Sequence, residues 1–225
     1  MESYQPKFFA PNSLTLLIFE INSFLGRYFF KKRSRLKKIY DPFLIDIGVG
    51  SNFTDGWVHV DFFKNRIKKF WKRRAKVRKP EIETDLRFPL NCPSNYIDGV
   101  YSGHTLEHLY PNHAFNLLKE IYRILKPNCW IRINVPDLSY VIKYYNGEIH
   151  IDGFDFKAES ISDITQNSGH HSTWDFEMLS GVLKIIGFTN IKQVEFGKEG
   201  TDKRLIKEEE VRRIGTLVVE AQKPL

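Results

Sequence analysis

The chain has 225 residues, with 34 Lys and Arg against 27 Asp and Glu, a formal charge of +7, 42% hydrophobic and 14% aromatic residues. That fits one mid-sized domain with a buried core and a short appendage, and it excludes a disordered or collagen-like chain. Two cysteines, Cys92 and Cys129, exclude a disulfide scaffold and a closed cysteine zinc site, and suit a reducing compartment.

The charge is concentrated. Residues 31–38 (KKRSRLKK) carry six basic residues and no acid, and residues 64–79 (KNRIKKFWKRRAKVRK) carry ten and no acid. Without these 16 residues, 18 basic side chains face 27 acidic ones, so a mildly acidic domain carries two basic inserts. Such inserts suit anionic partners, whether nucleic acid, a phospholipid surface or a phosphorylated substrate; a solvated basic face is the plain alternative.

Residues 14–30 (LTLLIFEINSFLGRYFF) place Leu14, Leu17, Ile18, Ile21, Phe24 or Leu25, and Tyr28 at helical spacing, with Asn12 or Ser13 as cap. The segment is too polar and too short for a membrane span. No charged leader, apolar core and small-residue cleavage site follow one another, so no signal peptide is expected. Three readings stay open for this helix and its basic tail over 14–38. It packs on its own domain (the commoner use), on a second subunit in a homodimer, or on an anionic membrane. The chain is therefore expected to be cytoplasmic, or peripheral at the membrane.

Asp41-Pro42 marks a boundary, giving an appendage over 1–40 and a domain over 41–225. Strand signals follow at Phe43–Ile47, Val58–Asp61, Glu81–Thr84, Ile97–Ser102, Trp130–Val135, Phe188–Phe196 and Gly215–Ala221. Helical periodicity covers Asn112–Leu125, Asp137–Tyr145 and Trp174–Ile186, the last closed by Gly187. Asn65–Arg78 reads as a basic helix stopped by Pro80. Residues 146–172 show no period and read as a loop or insertion. This alternation predicts an α/β fold with a largely parallel sheet and helices on both faces.

In such sheets ligands bind beyond the carboxyl ends of the strands. Those ends carry Asp46-Ile-Gly48-Val-Gly50, Asp61, Asp85 and Asp98. Glycines after a buried strand let a ligand approach the backbone. The dinucleotide pattern fails, since Phe53 stands at its third glycine, and no P-loop is present. A carboxylate at Asp61 can accept both hydroxyls of a ribose, and one at Asp85 can accept from an adenine amino group.

Taken together, Asp46-x-Gly48-x-Gly50, Asp61, Asp85-Leu86, Asp98-Gly-Val-Tyr-Ser-Gly-His104-Thr-Leu-Glu107-His108-Leu and Leu117-Leu-Lys-Glu120-Ile-Tyr-Arg123-Ile-Leu-Lys126-Pro127 resemble a class I S-adenosylmethionine-dependent methyltransferase. The likeness is to the small type-11 group often encoded near surface-glycan genes, and runs from Phe43 to Pro136, more faintly to Ala221. It implies a Rossmann-like, mostly parallel seven-stranded sheet with the last strand antiparallel, a lid or acceptor insertion over 146–172, and S-adenosylmethionine as cofactor. Asp46, Gly48 and Gly50 would lie at its methionine end, Asp61 at the ribose, Asp85 and the Leu86 amide at the adenine, and Ser102 to His104 on the floor near the sulfonium. Three departures stand out. Asn52 replaces a motif glycine, only ten residues separate Gly50 from Asp61, and Lys126-Pro127-Asn128-Cys129 replaces a Lys-Pro-Gly-Gly turn.

Methyl transfer needs positioning and, for a hydroxyl or amine acceptor, a base. The candidates are His104, Glu107 and His171, with His108 and His170 beside them. His104 and His108 are four apart, but no zinc-protease motif spans them, so no catalytic metal is expected. The acceptor implied is a small molecule, a glycan or a lipid-linked sugar. The alternatives are RNA or DNA, for which the basic tracts with Phe70 and Trp71 speak and the missing base-amine signature after the fourth strand does not, and an inactive cofactor-binding scaffold.

Overall fold

The structure, a computed structural model, describes residues 13–29, 34–50, 52–62, 78–198 and 200–225. In chain order it holds α1 (Ser13–Phe29), β1 (Leu44–Ile47), β2 (Val58–Asp61), β3 (Ile82–Glu83), β4 (Gly99–Gly103), α2 (Pro111–Ile124), β5 (Trp130–Pro136), α3 (Leu138–Asn146), α4 (Lys157–Gln166), α5 (Phe176–Ile186), β6 (Thr189–Gln193) and β7 (Thr216–Gln222). The basic helix expected over Asn65–Arg78 lies almost wholly outside the described residues.

The seven strands form one sheet of order β3-β2-β1-β4-β5-β7-β6. Every pairing from β3 to β5 is parallel, and β7 runs antiparallel between β5 and β6. The fold is the expected Rossmann-like one, with the short crossover between β1 and β2 intact. The Lys126-Pro127-Asn128 turn survives without glycine because Asn128 takes φ +62.

Strand alternation sorts the core. Ile45, Ile47, Val100, Ile131, Ile133, Leu217 and Val219 point to one face, where Leu117, Leu118, Ile121 and Ile124 of α2 and Leu179 and Leu183 of α5 pack on them. The alternate positions include Asp46, Tyr101, Arg132, Asn134 and Glu220, all buried. On their side Leu44, Trp57, Tyr101 and Leu205 form a smaller apolar cluster. The β6–β7 connection supplies ion-pair partners for these polar positions, Glu208 to Arg132 and Lys207 to Asp46, and Arg132 also bonds Glu220, its neighbour on β7. Buried charges need such partners, because desolvation otherwise disfavours them strongly.

Two expectations change. Residues 146–172 hold α4 and a turn at Asn167–Gly169. The sequence hides this helix because what it buries is Glu159, Ser160 and Ile164, which is no apolar stripe. Helix α1 packs on the domain with an inverted face. It buries Asn22, Ser23 and Gly26, while Leu14, Leu17, Phe24, Tyr28 and Phe29 are exposed. No helix among the described residues is long and apolar enough to cross a membrane.

Candidate active site

A cavity of about 860 Å³ opens at the carboxyl ends of the parallel strands. Its walls include Asp46, Gly48 and Gly50 after β1, Asp61 after β2, Asp85 and Leu86 after β3, Gly103 and His104 at the end of β4, and Asn134 on β5. That volume lies within the usual range for small-molecule sites.

The glycine turn is shaped by contacts that forbid side chains. Gly48 has φ +76, its N–H donates to the Val60 carbonyl at 2.8 Å, and a Cβ there would stand 2.1 Å from the Thr105 Oγ1. Thr105 holds that place by donating to the Ile47 carbonyl at 2.9 Å. Gly50 has φ +57, with nothing within 4 Å of the position its Cβ would take, so a ligand can come against the backbone. The Gly50 N–H donates to Asp61 Oδ2 at 2.9 Å, and the Phe62 N–H to Oδ1 at 2.6 Å. A carboxylate accepts about four hydrogen bonds. The two bonds from Gly50 and Phe62 hold the plane of the Asp61 carboxylate.

Asp46 points from β1 towards Lys207, whose ammonium also donates to the Asn52 carbonyl at 3.3 Å. The ammonium lies 5.5 Å from the Trp57 ring centre and 5.8 Å from that of Tyr101. Burial pushes the Asp46 carboxyl up, and Lys207 only partly opposes it. Burial likewise pushes the Tyr101 phenol well above its usual range, with Glu208 and Asp46 adding to it. The Tyr101 hydroxyl lies 3.2 Å from Asn134 Nδ2.

Asp85 has more partners than its position in the sequence announces. Oδ1 accepts from the Arg87 backbone N–H at 3.0 Å and from Nε at 3.1 Å; Oδ2 accepts from Arg87 Nη2 at 2.7 Å and from Ser23 Oγ at 2.5 Å. Burial alone would raise the Asp85 carboxyl, but the bonds from Arg87 and Ser23 hold it below its usual value. Arg87 goes on to Glu20 of α1, at 2.7 and 3.1 Å. With both oxygens engaged, Asp85 pins α1 over this end of the cavity, and the free edge there falls to the Leu86 backbone. Leu16, Phe19 and Glu20 of α1 line the cavity, and Phe19 stacks on Phe62 with centroids 4.2 Å apart.

His104 sits where β4 turns out of the sheet, at φ +50, which is unusual for a residue with a side chain. Its N–H donates to the Asn134 carbonyl at 2.9 Å. Nδ1 lies 3.1 Å from Glu107 Oε1 and Nε2 3.1 Å from Thr216 Oγ1. Glu107 is buried behind His104 and does not line the cavity, so it orients the imidazole rather than meeting a ligand. Ser102 is fully buried and also lies outside the cavity wall, leaving the floor to Gly103 and His104. His171 does line it, stacked on Tyr110 with centroids 4.3 Å apart.

Of the strand-end residues singled out in the sequence, the fold brings Asp46, Gly48, Gly50, Asp61 and Asp85 to one cavity, whereas Asp98 stands at the opposite end of β4, before Gly99, where it bonds Lys126 and the Phe43 amide. The sequence reading missed Asn134, Tyr101 and the α1 residues. Asn134 was within reach of the same strand-end logic applied to β5. Phe19 and Glu20 carry no signal, since they lie off the apolar stripe that the helical spacing of α1 picks out.

A parallel sheet with an antiparallel β7, a glycine turn after β1 and an acid after β2 define a Rossmann-like, nucleoside-cofactor-binding fold of the class I methyltransferase kind. Residues 45–133 match the family described as a methyltransferase domain. No curated protein matches the chain. Among solved structures it is similar to a S-adenosylmethionine-dependent methyltransferase from Thermotoga maritima, at 16% identity over 92% of each chain and TM-score 0.51. It is also similar to a structure that pairs the Haloferax volcanii Trm112 methyltransferase activator with a protein described as a methyltransferase, at 14% identity, 96% of this chain, 100% of that one and TM-score 0.51. A S-adenosylmethionine-dependent methyltransferase from Archaeoglobus fulgidus gives 21% identity, 94% and 100% coverage and TM-score 0.49. Residues 45–133 match a methyltransferase domain within a fold of the methyltransferase kind; the chain is an enzyme, and S-adenosylmethionine is its cofactor.

Proposed function

We propose that the protein transfers the methyl group of S-adenosylmethionine to a small-molecule or glycan acceptor, and that this acceptor is lipid-linked and met at an anionic membrane surface. The observation that carries the reading is the double use of α1: Leu16, Phe19 and Glu20 rim the cavity, while Leu17, Phe24 and Tyr28 of the same helix stay exposed. An apolar helix surface beside a cavity mouth, followed in sequence by KKRSRLKK, suits a headgroup region with negative charge.

The bound cofactor supplies an electrophilic methyl group; the chain supplies position and proton handling. Asp61, held by the Gly50 and Phe62 amides, is set to accept the ribose hydroxyls. The Gly48–Gly50 turn gives backbone access for the methionine end, with Asp46 beneath it. His104, held between Glu107 and Thr216, is the imidazole at the floor; it can take a proton from an acceptor hydroxyl once that hydroxyl replaces Thr216 at Nε2. His171 on Tyr110 stands on the acceptor side.

Two measurements test this. Flotation with vesicles should show the protein on phosphatidylcholine–phosphatidylglycerol membranes and free of pure phosphatidylcholine, and Leu17→Glu with Phe24→Glu should release it with the cofactor affinity intact. Radiolabelled methyl transfer should favour glycolipid extracts over RNA. Equal binding to neutral vesicles, or labelling of RNA alone, would overturn the acceptor assignment.

A further inference from the structure

The turn after β4 and the turn after α4 bring three metal-type donors together. Glu107, His108 and His170 each offer one ligand atom, and these atoms lie within 4.8 Å of one another. Two come from neighbouring positions, and the third arrives from 62 residues further along the chain. Backbone bonds fix that meeting: the His171 and Ser172 amides both donate to the Glu107 carbonyl, at 2.7 and 3.2 Å. Ser172 Oγ donates to the Leu106 carbonyl at 3.0 Å.

The chemistry of each donor fits a cation. Glu107 is 1% exposed; Oε1 is held by His104, and Oε2 is a buried oxygen without a hydrogen-bond partner. A buried carboxylate oxygen left unpaired is costly, and a positive ion is its natural complement. His170 Nδ1 lies 2.9 Å from the Ile164 carbonyl, so the proton belongs on Nδ1 and the Nε2 lone pair is free. A carbonyl behind the imidazole, as Ile164 stands behind His170, is the arrangement that orients metal-bound histidines. The two rings meet edge to face, 5.0 Å apart.

We propose that Glu107, His108 and His170 bind a divalent transition-metal ion of the zinc or manganese type at the cavity wall. Two imidazoles and one carboxylate are a recurrent ligand set for such ions and leave further coordination positions open. Bonds of about 2.1 Å imply ligand separations near 3.4 Å in a tetrahedral site, so a donor pair at the 4.8 Å limit closes by about 1.4 Å on the ion. His108 lies at the exposed side of the cluster and can make that movement. The spacing argument against a metal concerned His104 and His108; the fold pairs His108 with His170 instead.

His108 also lines the cavity, so an ion here has positions facing the acceptor side. An oxygen donor of the acceptor, a hydroxyl or a phosphate, is the ligand those positions suit, and a hydroxyl bound there would be made more acidic. This last step rests on the methyl-transfer reading; the ion site itself does not.

The test is calorimetric titration of Zn²⁺, and separately of Mn²⁺, into full-length protein stripped with a chelator and desalted. One ion should bind per chain. Glu107→Gln and His170→Ala should each weaken binding at least tenfold, and His108→Gln should do the same should either of those variants lose its near-ultraviolet dichroism. His150→Ala, at an exposed histidine paired with Asp152, should bind as the parent does. Failure of both ions to bind at one per chain, or binding that the variants leave unchanged, would overturn the site. S-adenosylmethionine titrated into the same metal-free protein separates the two claims. Cofactor binding without ion binding removes the metal site alone, and ion binding without cofactor binding removes the methyl-transfer reading alone.

Discussion

At the scale of single residues, the site depends on side chains that neutralise each other far from water. Asp46 and Lys207 are the sharpest case, separated by 161 positions in sequence and with side chains only 4% and 5% exposed. Lys207→Met should destabilise the fold by about 3–5 kcal/mol at neutral pH, because it leaves a buried carboxylate without its cation. The pH dependence follows from the raised Asp46 pKa. Below the unfolded value both states carry the proton and its binding is favourable to the fold; as pH rises through the higher folded value that stability is lost. The variant should therefore regain much of its deficit as the pH falls towards 4, read by thermal melts across pH. A melt matching the parent at neutral pH would contradict this role for the pair. Asp46, Gly48 and Asp61 were legible because strand ends in parallel sheets are where ligands bind. Lys207 was not, since nothing in the local pattern of the β6–β7 connection marks one lysine among its neighbours.

At the scale of elements, α1 is where sequence and structure part. Its helical spacing was legible and what it packs against was left open, because hydrophobic periodicity finds an apolar face without saying what covers it. The domain instead grips the polar stripe, through Ser23 on Asp85 and Glu20 on Arg87. Since Asp85 has its pKa lowered in the folded state, its contribution is present above the unfolded value and is lost as pH falls through the folded one. Asp85→Asn removes the charge at any pH and should loosen α1 selectively. Hydrogen exchange over 13–29 should accelerate while α2 and α5 keep their protection. An unchanged pattern, or uniform acceleration across α2 and α5, would contradict the pinning of α1 by Asp85. Helix α4 escaped notice for the opposite reason. Its buried face is partly charged, and Glu159 reaches back to the Asp155 and Phe156 amides at 2.8 and 3.3 Å, a capping role that periodicity does not detect.

For the whole molecule, the alternation of strands and helices was enough to predict the sheet. It does not encode that β7 inserts between β5 and β6, which is a matter of edge pairing. The charge of +7 that opens the account describes the chain and not the site. Of the aspartates that wall the cavity, Asp46 is paired with Lys207 and Asp85 with Arg87, and Asp61 is the one placed for a ribose, while the basic tracts lie outside the described lining. The central claim, that this cavity holds S-adenosylmethionine, is tested most directly by calorimetric titration of the cofactor into the parent protein and Asp61→Ala. Saturable binding to the parent, weakened in the variant by about 1–3 kcal/mol through the lost ribose hydrogen bonds, is the expected result. No binding to the parent, or an affinity that Asp61→Ala leaves unchanged, would contradict it.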